Sequence, residues 1–149
     1  MIKKTLLALG AACFMAIPAL AADWVQVSPH KYVDATSIRP SNAYGTFTFK
    51  AKAIADGVPF ERHDGRDVWQ VNGSMYVNCR SGYLREVSYS LFDSNNRTIH
   101  TNKSSGNDWR NVGPGSEVFD LYDYVCRVSD RYDWRKYDRH PNYYYKWWY

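Results

Sequence analysis

The chain has 149 residues and a net charge of +4; 45% of it is hydrophobic and 17% aromatic. That charge is small, and no block of five like charges occurs, so neither nucleic-acid binding nor a polybasic membrane patch is indicated. The length suits one compact domain, and the anomaly is 13 Tyr and 6 Trp, rings that serve cores and binding faces alike.

Residues 1–21 read as a cleaved secretory signal. Lys3 and Lys4 open it, an apolar run from Thr5 to Ile17 follows, Pro18 breaks the run, and Ala19 and Ala21 are the small residues a signal peptidase reads. The run is too short for a stable membrane-spanning helix. A lipoprotein reading would need Cys13, but Gly10 stands three residues earlier where such sites carry Leu. Without residues 1–21, which hold two lysines and no acid, the net charge is +2. Two cysteines remain, Cys79 and Cys126. In an exported chain they most simply form one disulfide, which the chain-entropy treatment values at about 4 kcal/mol.

The expected domain runs over residues 22–128. Trp24-Val25-Gln26-Val27 is β-prone, Tyr32-Val33-Asp34 and Ser37-Ile38-Arg39 are two short extended pieces, and Pro40-Ser41-Asn42 is a turn. Phe47, Phe49, Ala51 and Ala53 share one parity, and Thr46, Thr48, Lys50 and Lys52 the other, which predicts a half-buried antiparallel strand. The charged stretch from Asp56 to Asp67 reads as an exposed loop. Trp69, Val71, Gly73, Met75, Val77 and Cys79 again share a parity, so Cys79 falls at a core edge. Arg80-Ser81-Gly82 is of hairpin length, and Tyr83–Phe92 forms the next strand with Val87, Tyr89 and Leu91 in register. Asp93-Ser94-Asn95-Asn96 turns into a short strand from Thr98 to Asn102.

Trp109-Arg110-Asn111-Val112 reads as a lead-in to Gly113-Pro114-Gly115-Ser116. Ser116 is a candidate N-cap, and the spacing of Val118, Leu121, Tyr122, Val125 and Cys126 predicts a helix over about 117–128. A bridge through Cys126 would clip that helix to the end of the central strand. The expected class is α+β: an antiparallel sheet of about five to six strands and one C-terminal helix tied to it by the disulfide. Residues 129–149 form an aromatic and basic tail. Its candidate binding residues are Trp134, Arg135, Tyr137, Tyr143, Tyr144, Tyr145, Trp147, Trp148 and Tyr149. Three uses fit such a segment: contact with a protein or glycan, anchoring at a membrane interface, and covering of the sheet face that a single helix leaves open.

The ordered features resemble the surface-adhesin protein E family of Gram-negative bacteria. The matching pieces are Trp24-Val25-Gln26-Val27, Tyr32-Val33-Asp34, Ser37-Ile38, Cys79, Val87-Ser88-Tyr89, Phe92-Asp93, Trp109 with Val112, Pro114-Gly115-Ser116 and Tyr122-Asp123-Tyr124-Val125-Cys126. The resemblance implies a disulfide-held sheet and helix. It also implies a non-enzymatic surface protein that binds host matrix or serum proteins, and homodimerisation. Asn78 stands before Cys79 where the family tends to carry an acid.

No catalytic set is read. His30, His63, His100 and His140 lie in separate segments, and a metal site would need three of them to meet in space. Glu61, His63 and Asp64 form a local acid–histidine cluster in a charged loop. Gly113–Ser116 lacks the lysine and spacing of a phosphate loop, no glycine-flanked serine elbow occurs, and Glu86 has no second carboxylate beside it for glycosidase chemistry. The sequence therefore points to an exported binding module, periplasmic or on the outer cell surface, with no cofactor. Its expected partner is a protein or glycan, such as a host extracellular-matrix protein. The alternative is a periplasmic structural or inhibitor-like protein that binds an envelope component.

Overall fold

The structure is a computed structural model that describes residues 21–103 and 107–129. Six strands follow one antiparallel path: β1 (Trp24–Ser28), β2 (Lys31–Pro40), β3 (Thr46–Ile54), β6 (Gln70–Asn78), β7 (Tyr83–Phe92) and β8 (Thr98–Lys103). Between β3 and β6 the chain forms a separate hairpin, β4 (Glu61–His63) with β5 (Arg66–Val68). A two-residue strand, β9 (Arg110–Asn111), pairs with the start of β7, and one helix, α1 (Phe119–Ser129), follows. The α+β class expected from the sequence is the one observed.

The centre of the sheet forms as the parity rule dictates. Phe47, Phe49 and Ala51 are buried while Lys50 is exposed. The register pairs Phe47 with Val77 and Phe49 with Met75, so the inward sides of β3 and β6 coincide. Helix α1 packs on that side against β1, β2, β3 and β6. It adds Leu121 and Val125 to a core of Val33, Ile38, Phe47, Phe49, Ala51, Val77, Leu84 and Val112.

Four local expectations are corrected. The two extended pieces at residues 32–39 are one strand, whose ladder is interrupted between Asp34 and Arg39. Side chains take over the missing bonds: the Asp34 carboxylate accepts from the Thr36 amide and hydroxyl, and Ser37 Oγ accepts from the Lys50 amide at 2.8 Å. In β7, Ser88 lies opposite Ser74 and Glu86 opposite Met75, so Val87 is the extra residue of a bulge. The bulge reverses parity, which lets both Leu84 and Leu91 reach the core although they are seven residues apart.

The expected loop at 56–67 contains the β4–β5 hairpin. Asp64 and Gly65 both take positive φ, 49° and 74°, the backbone that an Asp-Gly two-residue turn supplies. Val68 is fully buried, and the Arg66 side chain reaches the Thr98 and Ile99 carbonyls, so the hairpin is docked on β8. The helix begins at Phe119 instead of residue 117. The Phe119 amide donates to the Ser116 carbonyl at 3.1 Å, while Ser116 Oγ is buried with no hydrogen-bond partner among the described residues. The first turn is thus set by backbone geometry around Pro114-Gly115 and not by a serine cap. No helix among the described residues is long and apolar enough to cross a membrane.

Candidate binding faces

The clipped end of the sheet is the most tightly specified region. Cys79 and Cys126 are bonded, with their Cα atoms 5.6 Å apart. Tyr122, one helical turn before Cys126, donates its hydroxyl to the Cys79 carbonyl at 3.3 Å. Burial pushes the Tyr122 phenol above its ordinary pKa, and the nearby Asp123 charge adds to the shift. Asn78 closes the hairpin: its Oδ1 accepts from the Arg80 and Ser81 amides at 3.0 and 3.1 Å. An amide oxygen here does what a carboxylate could also do.

Rings and guanidinium groups gather at this end. Arg80 lies 4.4 Å from the Tyr44 ring centroid, and Arg85 lies 4.7 Å from Tyr76 and 5.4 Å from Trp109. Tyr44, Tyr83 and Trp109 are 37%, 39% and 36% exposed. Gly45 makes part of this arrangement possible: it sits at φ 69°, and a Cβ there would meet Arg80 Cγ at 2.7 Å. Trp109 arrives through register, because β9 pairs Arg110 with Leu84 and so brings the preceding residue alongside Arg85. A partly exposed cluster of Tyr, Trp and Arg has the composition of an interface hot spot.

The sheet face turned away from α1 is covered by no helix or strand of the described residues. Its cross-strand rows follow from the registers. One row runs Asp34, Lys50, Ser74, Ser88, Lys103; the next runs Tyr32, Lys52, Asn72, Ser90, Thr101; a third runs Arg39, Thr48, Tyr76, Arg85. Lys52 Nζ stands 4.3 Å from the Trp24 ring and 5.3 Å from Tyr32. The Ser90 and Thr101 hydroxyls bond at 3.0 Å. The acid of these rows, Asp34, is 5% exposed, and its Oδ1 also accepts from the Asp23 amide.

At the far end of this face a shallow depression of about 390 Å³ is lined by Lys52, Ile54, Ala55, Trp69, Gln70, Asp93, Ser94 and Asn96. Trp69, expected on the inward parity, precedes β6 and belongs to this depression. Asp93 is fixed by the Arg97 amide, the Asn95 amide and Arg97 Nε at 2.9–3.0 Å. These bonds, the Arg97 amide first, hold its carboxyl below the usual aspartate range.

The structure brings Cys79 and Cys126 together and also His63 and His100, whose rings are 4.5 Å apart. His30 lies elsewhere, 3.5 Å from Asp56, and His140 is outside the described residues. Among the described residues no three His, Cys, Asp or Glu side chains are grouped to hold a metal. The Glu61–His63–Asp64 cluster belongs to the β4–β5 hairpin, with His63 3.6 Å from Asp64. The tail candidates Trp134, Arg135, Tyr137, Tyr143, Tyr144, Tyr145, Trp147, Trp148 and Tyr149 also lie outside the described residues. The residues that the sequence reading passed over are Tyr44, Arg80, Tyr83, Arg85 and Trp109. Their signal was present as polar-parity rings and arginines in successive strands and turns, but only the register joins them.

Comparison with known proteins places this architecture. The family model described as surface-adhesin protein E matches residues 24–127. A search of curated proteins returns no significant match. Solved structures of protein E from Haemophilus influenzae share the fold. One aligns with a TM-score of 0.54 at 14% identity, covering 76% of this chain and 90% of that one. A second crystal form gives 0.52 at 14% identity, covering 74% and 91%. Protein E from a non-typeable strain gives 0.51 at 14% identity, covering 76% and 82%.

Proposed function

Because the chain belongs to the surface-adhesin protein E family, we propose that it is an exported, non-catalytic module that binds a host matrix or serum protein at the cell surface. In this reading residues 1–21 are the removed signal, residues 22–128 the folded domain and residues 129–149 an additional contact segment. The observation that supports it most directly is the partly exposed Tyr44, Tyr83 and Trp109 cluster with Arg80 and Arg85, built on the disulfide-clipped end of the sheet. Rings held by a rigid scaffold supply contact area at low entropic cost, and arginine adds directed bonds and charge. The tail from Trp134 to Tyr149 extends the same chemistry in sequence.

The test presents exported chain to immobilised matrix proteins. Saturable capture is expected. It should fall when Trp109 is replaced by Ala and when the tail is scrambled at constant composition. Capture equal to that of an unrelated disulfide-bonded domain would end the adhesive reading. Cell fractionation separates the alternative: protease-accessible protein on whole cells supports adhesion, whereas soluble periplasmic recovery supports binding of an envelope component.

A further inference from the structure

We propose that the sheet face opposite α1 docks a linear acidic polysaccharide, a sugar polymer carrying carboxylate or sulfate groups. This rests on the binding-module reading above and adds to it a ligand class and a wider surface, which meets the ring cluster at Arg85 and Trp109. The first support is charge segregation. Arg39, Lys50, Lys52, Arg85 and Lys103 occupy strand positions on this face, and its one strand acid, Asp34, is buried and hydrogen-bonded to Thr36 and Asp23. Acids in the helical segment, Asp120 and Asp123, lie on the element packed against the other face. Residues 22–129 carry equal numbers of basic and acidic residues, and this balance conceals one positive side, so a polyanion approaching it meets cations.

The second support is what lies between the cations. Ser74, Ser88, Ser90, Thr101 and Asn72 offer hydroxyl and amide groups, the partners that a hydroxyl-rich polymer needs. The two ring–cation groups, Lys52 with Trp24 and Tyr32, and Arg85 with Tyr76 and Trp109, bracket this polar strip. Lys52 lies opposite Asn72, four residues along β6 from Tyr76, so the groups stand about 13 Å apart, with room for several sugar rings.

Other partners fit less well. A protein interface wants an apolar centre, and the aliphatic side chain of these strand positions, Ile54, sits at the far end. Single-stranded nucleic acid would stack bases on the rings, but Lys52 and Arg85 already lie over them and would have to be displaced. Anionic sugar groups engage those cations where they stand. Residues 130–149 carry five Arg or Lys against three Asp, so the tail does not complement a basic face.

The experiment uses the exported full-length chain and four probes: heparin, hyaluronan, neutral dextran and single-stranded DNA. Retention on heparin or hyaluronan is expected, with none on dextran, and the ranking of the first two tells sulfate from carboxylate recognition. Lys50→Glu with Lys103→Glu should weaken binding about tenfold or more, whereas Arg62→Glu with Arg127→Glu, an equal charge change on the β4–β5 hairpin and α1, should alter it less than about twofold. Lys50→Gln with Lys103→Gln serves if the reversed pair fails to fold, and should show a smaller loss of the same kind. The proposal is overturned by no retention, by preference for DNA, or by an Arg62/Arg127 variant that loses as much as the face variant. Matrix-protein capture measured on the same preparations separates the two readings. Capture without polysaccharide binding removes this inference alone, and loss of both removes the binding-module reading with it.

Discussion

The two faces of the sheet are built from the same strands at alternating positions, yet they obey different rules. Toward α1, neighbouring positions are Phe47, Phe49, Ala51 and Val77, buried and apolar. Away from it, the intervening positions are Thr48, Lys50, Ser74 and Tyr76, polar or ring-bearing and at least partly open to water. One side is held by area removed from water, and the other keeps its chemistry available. The difference separates a buried, stabilising side from a polar, water-facing side at a spacing of one residue.

The sharpest way to break this comparison is to change two adjacent residues. Phe49→Ala should cost about 3–5 kcal/mol, because a fully buried ring is lost and its cavity only partly collapses. Lys50→Ala, one residue on, should stay within about 0.5 kcal/mol. Urea unfolding measures both. A large loss at Lys50 would mean that the open face is part of the core after all.

The disulfide comes next. Cys79→Ser and Cys126→Ser should each lower stability by about 2–4 kcal/mol, with little further loss in the double variant. Thermal melts of the three proteins decide it. Additive losses would show that the cysteines act separately. Because the clip joins β6 to α1, its removal should loosen the helix side before it alters the rows of the open face.

How much of this was legible in the sequence follows from the same alternation. β3 and β6 keep a strict two-residue period, so their inward sides, and the position of Cys79 at a core edge, could be read directly. β7 could not, because the bulge at Val87 reverses the parity between Leu84 and Leu91. The β4–β5 hairpin was hidden by its charge: only Val68 is buried, and the Asp64-Gly65 turn was the available signal. The open-face site was the least legible. Each strand contributes at most three residues to the rows, and nothing local joins Trp24 to Lys52 or Arg85 to Trp109 before the register is known.

A smaller effect belongs to Tyr122→Phe. Its hydroxyl bond to the Cys79 carbonyl is long at 3.3 Å, so the loss should be about 0.5–1.5 kcal/mol. The ring itself stays packed against Phe119, with centroids 6.2 Å apart. A much larger loss by urea unfolding would show that this bond, and not the covalent clip, positions the helix.

The finest test concerns Asp93, which lies at the turn where β7 ends, in the depression at the far end of the open face. Its carboxyl is held below the ordinary value of 3.8, first by the Arg97 amide and further by the Asn95 amide and the Arg97 side chain. A depressed carboxyl stabilises the fold fully above its unfolded value and ceases to do so as pH falls through the folded one. Asp93→Asn keeps an oxygen for the two amides but loses the charge facing Arg97 Nε at 2.9 Å and Arg66 Nη1 at 4.0 Å. The variant should therefore melt below the unmodified protein at pH 7, and the gap should close as the pH drops below about 3.8. Phe49→Ala, by contrast, should keep its deficit across that range, since no proton is involved. Melting curves from pH 7 to pH 2 read both, and a gap at Asp93 that stays constant in acid would show that the turn is held by shape alone.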